Sequence, residues 1–248
     1  MSPSWPSKRV IIGESGAPAP WHVIAMCGRF TLTHPNDALA RLFTALPAND
    51  LPEPPRYNIC PTQPVATVIA AGGTRRIGPM RWGFLPSWYR GESDGPLLIN
   101  ARAETLAQKP AFRAAARARR CLIPASGFFE WTKDTAGNRL PWYIAPAEGG
   151  ADAPLAFGGV WQMWDGPEGA RLATCAIVTC PASADIAHIH HRMPLILAPR
   201  DWALWLGEAG HGAARLMVPA PAGSLAAWRV DPAANSNRAE GAGLIAPL

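Results

Sequence analysis

The chain has 248 residues, of which 48% are hydrophobic and 17% are charged, and these proportions exclude a wholly disordered or fibrous protein. This length suits one large domain with a sizeable core. Lysine and arginine outnumber aspartate and glutamate by 23 to 18, and the resulting net charge of +5 is compatible with a polyanionic partner without requiring one.

The first 25 residues mix Pro, Gly and Ser with isolated apolar residues and have no helical or strand periodicity. We therefore expect an irregular extension over 1–25, followed by a single domain over 26–248. The segment MCGRFTL, 26–32, predicts a short strand. Asn36 or Asp37 is expected to cap the helix that follows, whose apolar face would carry Leu39, Leu42, Phe43 and Leu46.

Most later elements are predicted as strands separated by Gly, Pro and Asp turns. The strands are expected at 65–70, towards 80–84, and at 127–131, 142–145, 155–164, 173–179 and 195–198. Helices are expected at 111–119 after a proline, near 183–188 and at 201–206. Short strands without regular helical crossovers favour an α+β fold class with largely antiparallel sheets.

The cysteines and apolar segments exclude several protein classes. The five cysteines form no CxxC pair and are odd in number, so neither a disulfide framework nor a zinc knuckle is expected. No apolar run approaches the roughly 18–20 residues of a membrane helix, and the N-terminal segment lacks the apolar region of a secretory signal. We therefore expect a cytoplasmic protein without a membrane anchor.

Cys27 stands in a context unlike that of the other cysteines. In the segment 26–30, MCGRF, a glycine permits close approach of the backbone and an arginine favours the thiolate. If Cys27 became the first residue, its α-amine and thiol together could convert an aldehyde into an imine and then into a five-membered thiazolidine. The alternative is a cysteine buried in a strand.

Two further polar residues lie among strong strand signals. Asn100 follows the apolar residues 97–99 and is expected at a strand end, with a turn or helix cap as the alternative. Glu130 lies in the segment FFEW, where aromatic neighbours would desolvate its carboxyl and favour a role in proton transfer. The alternative for Glu130 is an outward position on an alternating strand.

Three of the six histidines fall in the segment HIHHRMP, 188–194. A zinc site is one option, but no acidic residue or cysteine stands at a supporting spacing and Arg192 opposes a cation. A general acid or base beside a phosphate-binding arginine agrees better with the segment. An exposed histidine cluster without a function is the alternative.

Six segments, in this order, resemble the SRAP family, the SOS-response-associated peptidases that act as abasic-site processing proteins. They are MCGRF at 26–30, RYNICPTQ at 56–63, MRWGFLPSW at 80–88, INARAET at 99–105, CLIPASGFFEW at 121–131 and IHHRMPLIL at 189–197. The resemblance implies a single domain whose antiparallel sheets form a barrel-like core with flanking short helices.

The resemblance also implies the chemistry. Cys27 would crosslink to the ring-opened aldehyde of an abasic site in single-stranded DNA as a thiazolidine, and this reaction needs neither a cofactor nor a metal. Asn100 would orient the cysteine and the sugar, and Glu130 would assist the proton transfers. His190 would act as acid or base on the deoxyribose hydroxyl.

The DNA contacts implied by the resemblance come from a second group of residues. Arg29, Arg102 and Arg192 would contact phosphates beside the lesion, and Asn58 would contact the DNA backbone. An apolar surface that stacks on or wedges between bases is expected from Pro61, Trp82 and Trp88. The expected partner is therefore abasic single-stranded DNA, bound by a monomer that associates with the nucleoid.

As numbered, Cys27 is internal, and its amide nitrogen cannot form an imine. We expect translation to begin at Met26, although autoproteolysis after Met26 and an inactive protein that keeps its extension are alternatives. Two other functions stay open: a peptidase with Cys27 and His190 as nucleophile and base, and a non-covalent binder of single-stranded DNA.

Overall fold

The computed structural model describes residues 28–147 and 154–248. The expected extension over 1–25 and Cys27 lie outside these residues, so the domain boundary stays a prediction. The described part contains thirteen strands and three α-helices. The helices are α1 (Asn36–Phe43), α2 (Pro110–Ala118) and α3 (Trp202–Leu206). The strands are β1 (Phe30–Leu32), β2 (Ala45–Pro47), β3 (Arg56–Ile59), β4 (Pro64–Ala71), β5 (Thr74–Trp82), β6 (Asn100–Arg102), β7 (Arg120–Ala125), β8 (Gly127–Lys133), β9 (Arg139–Pro146), β10 (Leu155–Asp165), β11 (Arg171–Pro181), β12 (Arg192–Pro194) and β13 (Leu225–Arg229).

Five strands close into a barrel in the order β4, β5, β11, β10 and β7. The β5–β11 pairing is parallel and closes the ring, whereas the other four pairings are antiparallel. Beyond the ring, β11 also pairs in parallel with β6 and antiparallel with β12. The predicted α+β fold with a barrel-like core is confirmed.

A second, antiparallel sheet in the order β13, β9, β8, β1 and β3 packs against the barrel. Phe30 joins the two layers, because its ring lies 5.1 Å from the Trp82 ring of β5 and 5.9 Å from the Phe157 ring of β10, measured between centroids. All three side chains are buried. The aromatic residues of the sequence motifs thus form the core that holds β1 in place.

Helix α2 begins at Pro110, where a missing backbone N–H costs nothing, and buries Phe112 and Ala115. The Phe112 ring lies 5.1 Å from the Phe84 ring, just beyond β5. Arg120 ends the helix by donating to the carbonyls of Ala116 and Arg117 at 2.8 and 3.0 Å. The arginines before it remain on the exposed side.

The first helix departs from its prediction. Its N-cap is Pro35, and neither Asn36 nor Asp37 makes a capping bond with its side chain. Leu39 and Phe43 are buried as expected, but Leu42 is exposed and Leu46 lies in the edge strand β2, also exposed. Leu46 falls outside the helix because Thr44 ends it in a left-handed conformation.

The predictions of two later elements were also wrong. Residues 184–189 form successive turns rather than a helix. The strand expected at 195–198 lies earlier, as β12, and only an isolated bridge between Ile196 and Phe157 remains there. Beyond β12 the chain turns from β11 to β10: the Leu195 carbonyl accepts from the Gly158 N–H at 2.8 Å and the Leu197 N–H donates to the Ala156 carbonyl at 2.9 Å. Among the described helices, none combines the length and apolar content needed to cross a bilayer.

Candidate functional site

Glu130 is held in the interior of β8, with 3% of its surface exposed. Phe30 of β1 pairs with Phe128, and the Phe129 N–H donates to the Arg29 carbonyl at 3.0 Å. The chain before β1 therefore follows β8, and Gly28 comes into register with Glu130. Cys27, which precedes Gly28 in the sequence, lies outside the described residues.

Trp142 stands opposite Glu130 on the neighbouring strand β9. Its indole N–H donates to Thr132 Oγ1 at 3.0 Å, and its ring meets the His188 ring edge-on at 5.7 Å. The turns that follow β11 are thus packed against β9, the neighbour of the strand that carries Glu130. This contact sets the histidine segment one strand away from Glu130.

The His190 ring is oriented by the backbone of Arg192. Its Nδ1 lies 3.1 Å from the Arg192 N–H and 3.1 Å from the Arg192 carbonyl oxygen. Nδ1 can accept from the N–H when it is unprotonated and donate to the carbonyl when it is protonated. Nδ1 therefore has a backbone partner in either tautomer without rotation of the ring, and Nε2 takes no part in these two hydrogen bonds.

His191 differs from His190 in exposure and surroundings. Its ring lies 4.4 Å from that of His190 and is exposed. Desolvation, followed by the nearby His190 and the Arg192 and Arg102 cations, lowers the pKa of His191. A neutral imidazole is therefore favoured there.

Asn100 begins β6 and pairs with Ile177 of β11. The preceding residue, Ile99, accepts a hydrogen bond from the Trp82 indole N–H at 3.0 Å, and Trp82 in turn contacts Phe30. Asn100 is thus tied to the strand that leads to Gly28. These links connect Asn100 to β1, which pairs with the strand that carries Glu130.

Arg192 is held inside the protein by Glu104. Its Nη1 and Nη2 donate to the two carboxylate oxygens of Glu104 at 2.5 and 3.0 Å, and Nη2 also donates to the Thr179 carbonyl at 2.6 Å. These hydrogen bonds lower the pKa of Glu104. Arg102 of β6 is the strand partner of Thr179 on the other edge of β11, and the side chain of Arg102 is exposed.

Arg29 is also enclosed, with 9% of its surface exposed. Nη1 donates to Asn58 Oδ1 and to the Ser236 carbonyl, both at 2.8 Å. Its guanidinium lies 5.1 Å from the centre of the Trp131 ring, and burial lowers the pKa of Arg29. The buried Asn58 amide donates to the Ser236 and Ala239 carbonyls at 3.1 and 2.8 Å. Both side chains thus connect β1 and β3 to the C-terminal segment.

The predicted apolar surface is divided between the interior and the exterior. Trp82 is fully buried, so in this structure its ring cannot stack on a base, and that role is corrected to one in the core. Trp88 is 57% exposed and remains available. Pro61 is half-buried in the turn between β3 and β4.

The other cysteines carry little nucleophilic character. Burial raises the pKa of Cys175 to about 12 and that of Cys180 to about 11, and it raises the pKa of Cys121 strongly. Cys60 is half-buried, and desolvation raises its pKa although the Arg29 cation opposes this. Within residues 28–147 and 154–248 we find no group of three or more His, Cys, Asp or Glu side chains that could hold a metal ion.

Sequence reasoning missed two residues of this region. Glu104 follows Arg102 by two positions in the segment INARAET, and its acidic side chain near a predicted phosphate-binding arginine was the available signal. Trp142 had no such signal, because only the β8–β9 register brings it opposite Glu130.

Comparison with known proteins gives concordant matches. A sequence model of the family described as SOS response associated peptidase (SRAP) matches residues 26–237. The abasic site processing protein YoqW of Bacillus subtilis (strain 168) is 36% identical over 217 residues, which are 85% of this chain and 95% of YoqW. The abasic site processing protein YedK of Escherichia coli (strain K12) is 30% identical over 232 residues, covering 90% of this chain and 100% of YedK.

Solved structures share the fold. A protein from Bacteroides thetaiotaomicron superposes with a TM-score of 0.78 at 22% identity, over 90% of this chain and 100% of that one. A protein from Bordetella bronchiseptica gives a TM-score of 0.70 at 26% identity, over 83% and 100% of the two chains.

Proposed function

Because the chain belongs to the SOS response associated peptidase (SRAP) family, we propose that it processes abasic sites in DNA by joining Cys27, once it is N-terminal, covalently to the lesion. The names of the relatives YoqW and YedK support abasic DNA as the partner. The preference for single strands, the monomeric state and a cytoplasmic, nucleoid-associated location belong to the same proposal.

The chemistry needs no group from outside the protein and the DNA. The α-amine of Cys27 attacks the aldehyde of the ring-opened sugar, and loss of one water gives an imine. The thiolate then adds to the imine carbon, the nitrogen takes up a proton, and a thiazolidine ring closes. An internal cysteine cannot react in this way because its nitrogen is an amide. The family match that begins at Met26 supports Cys27 as the reacting residue.

Three side chains assist this reaction in our proposal. The buried Glu130 carboxyl, in register with Gly28, exchanges protons during imine formation and ring closure. Asn100, tied to β1 through Trp82, orients the cysteine and the sugar. His190 exchanges a proton with the deoxyribose hydroxyl. The observation that carries this assignment is the Nδ1 position of His190 between the N–H and C=O of Arg192, which accommodates both tautomers.

The DNA contacts that we propose differ in how directly they reach the ligand. Exposed Arg102 would contact a phosphate, and exposed Trp88 would stack on a base, with half-buried Pro61 at the edge of the site. Arg29, Arg192 and Asn58 are bonded to partners within the protein, although the buried Arg192 Nε has none, so direct contact with DNA would compete with these bonds. We therefore assign them first to the support of β1 and His190.

The test is to mix protein beginning at Cys27 with a single-stranded oligonucleotide that holds one abasic site. We expect an adduct that resists heat and SDS and whose mass is the sum of the two reactants less one water. An undamaged oligonucleotide and the Cys27→Ser protein should give no stable adduct, because an oxygen nucleophile closes the ring poorly. Absence of the adduct from the unsubstituted protein would refute the proposal.

The full-length chain separates this reaction from the peptidase alternative. With Cys27 internal, a Cys–His peptidase should keep its activity, whereas thiazolidine formation should be lost. A non-covalent binder would show no preference for the lesion and would be indifferent to Cys27→Ala. The intact mass of the natively expressed protein shows whether Cys27 is terminal in the cell.

A further inference from the structure

The positive charge of the protein is concentrated in one segment. Residues 109–120 contain Lys109 and four arginines, and no acidic residue occurs from 105 to 129. This segment alone carries +5, the net charge of the whole chain. In the described part of the protein, none of its five cations forms an ion pair with a carboxylate, although six other arginines do. Charge of this kind favours a polyanionic ligand.

The available cations line one side of α2. Lys109, Arg113 and Arg117 are exposed, and Arg119 is half-buried. Arg120 is excluded because its guanidinium caps the helix. Arg113 and Arg117 are one helical turn apart, so their guanidinium groups can contact successive groups of one extended ligand.

An aromatic cavity adjoins this side of α2. It has a volume of about 380 Å³ and is lined by Trp88, Ala111, Ala114, Arg119, Trp161 and Met163 among others. Arg119 is fixed there, because its Nε donates to the Trp161 carbonyl at 3.3 Å and its carbonyl accepts from the Trp161 N–H at 2.9 Å. Tryptophan faces beside arginines are the surface on which the bases of a single strand stack.

The cavity is connected to the candidate site by strand β11. Gln162, at the cavity, pairs with Thr174, whereas Arg102 pairs with Thr179, five residues further along β11. Five residues of strand span about 17 Å at roughly 3.3 Å per residue. This length corresponds to about five phosphates at the B-form spacing of one strand, and to fewer in an extended strand.

We propose that the DNA strand flanking the lesion leaves the site past Arg102 and binds in a groove formed by Trp88, Trp161, Arg119 and the exposed Arg113 and Arg117 of α2. This proposal rests on the proposed function, since it assigns the path of the same DNA. Bases stack on the two tryptophans and phosphates contact the arginines, without readout of sequence.

The test compares full-length Arg113→Gln/Arg117→Gln protein with unsubstituted protein in binding undamaged single-stranded oligonucleotides of about two and about fifteen nucleotides. The longer oligonucleotide should lose at least about tenfold in affinity, and its salt dependence, log K against log [salt], should become shallower by about 1.4 for two lost phosphate contacts. The shorter oligonucleotide, whose single bridging phosphate cannot span both regions, should show no more than half of this change in slope. Both substitutions are at exposed helical positions, and glutamine keeps a similar helix propensity.

Arg200→Gln/Arg215→Gln is the matched control, because it removes the same charge from two exposed positions outside α2. The control should retain the affinity and salt slope of the unsubstituted protein for both lengths. Equal binding of the longer oligonucleotide by the α2 variant and by the control would overturn the proposal. This result would be expected if the groove binds an acidic protein segment instead of DNA, because loss of the α2 arginines would then leave DNA binding unchanged. The single variant Arg117→Gln, at an exposed position of the same groove, replaces the double variant if the latter unfolds, and its salt slope should become shallower by about 0.7.

These readouts do not need covalent chemistry. If no crosslink forms with any abasic oligonucleotide, the proposed function fails, but the length-dependent binding still decides whether DNA occupies the groove. If crosslinking succeeds and the α2 variant binds both lengths as the control does, only the path of the flanking strand is refuted.

Discussion

The arginines and tryptophans that the sequence predicts as DNA contacts form two sets in the structure. The inner set, Arg29, Arg192 and Trp82, is buried and bonded to the protein itself. The outer set, Arg102 and Trp88, is exposed. The same residue types at comparable sequence positions thus serve different purposes: the inner set fixes the strands and turns of the site, whereas the outer set is available to a ligand.

The two tryptophans should show the largest difference between the sets. Trp82→Ala should lower the free energy of unfolding by about 3–5 kcal/mol, because it empties a core position beside Phe30 and removes the donor to the Ile99 carbonyl. Trp88→Ala should change it by less than about 0.5 kcal/mol. Urea unfolding of the two variants measures both values.

The affinity for DNA should depend on the same two residues in the opposite order, with the larger direct effect at Trp88. Trp88→Ala should weaken binding of a single strand by about 1–3 kcal/mol through loss of one stacked base. A Trp88→Ala protein that binds DNA normally but is strongly destabilised would reverse the assignment of Trp88 to the outer set. Trp82→Phe, which retains an aromatic core residue, separates loss of packing from loss of the hydrogen bond.

Substitution of the inner arginine Arg29 should also lower the free energy of unfolding more than substitution of the outer arginine Arg102, but by a smaller margin than for the tryptophans. Arg29→Met removes the hydrogen bonds from Arg29 to Asn58 Oδ1 and to the Ser236 carbonyl, which keeps only the Asn58 amide as a donor, and should cost about 2–3 kcal/mol of unfolding free energy. Arg102→Met removes an exposed side chain and should cost no more than about 0.5 kcal/mol. It should instead reduce the salt slope of DNA binding by about 0.7, the value for one phosphate contact to a single strand.

Chemical unfolding and a salt titration of DNA binding check this pair. The comparison fails if Arg102→Met destabilises the protein as much as Arg29→Met does, or if its salt slope is unchanged. Arg171, exposed and paired with Asp165 at the end of the β10–β11 hairpin, supplies a control position for loss of one surface cation.

The division into two sets could not be predicted from the sequence, although much else could. Alternating apolar residues correctly located β4, β8, β10 and β11, and Pro110 located the start of α2. The burial of Trp82 depends on the parallel closure of β5 on β11, and the enclosure of Arg29 depends on Ser236, which is 207 residues away in sequence. Such contacts arise from topology and leave no periodic signal.

Residues near the ends of elements were the least predictable for the same physical reason. Asn36 was expected as a cap from its type alone, yet its amide donates to the Pro52 carbonyl at 3.3 Å instead. The segment 183–188 has apolar residues at a helical spacing, but the contact between His188 and Trp142 and the hydrogen bonds of His190 hold it in turns. Tertiary contacts outweighed local propensity at both positions.

The smallest expected effect concerns Glu104, the partly exposed residue that pairs with Arg192 of the inner set. Hydrogen bonds from Arg192 lower the pKa of Glu104 below its unfolded value, so the pair stabilises the fold above about pH 4.3 and loses this effect as the pH falls through the lowered pKa. Glu104→Gln should therefore reduce the unfolding free energy at pH 7. Since 48% of the Glu104 side chain is exposed and solvent screens the pair, we expect a loss of no more than about 1 kcal/mol.

The pH dependence of this loss identifies its origin. Urea unfolding at pH 7 and near pH 3 should show that the difference between Glu104→Gln and the unsubstituted protein shrinks in acid, where the glutamate is also becoming neutral. Asp37→Asn is the control, because Asp37 pairs with Arg41 at 2.7 Å on a fully exposed face of α1 and should give a smaller loss at pH 7. A difference that persists undiminished near pH 3 would mean that the shape of the Glu104 side chain, rather than its charge, holds Arg192, and the inner set would then be stabilised by packing alone.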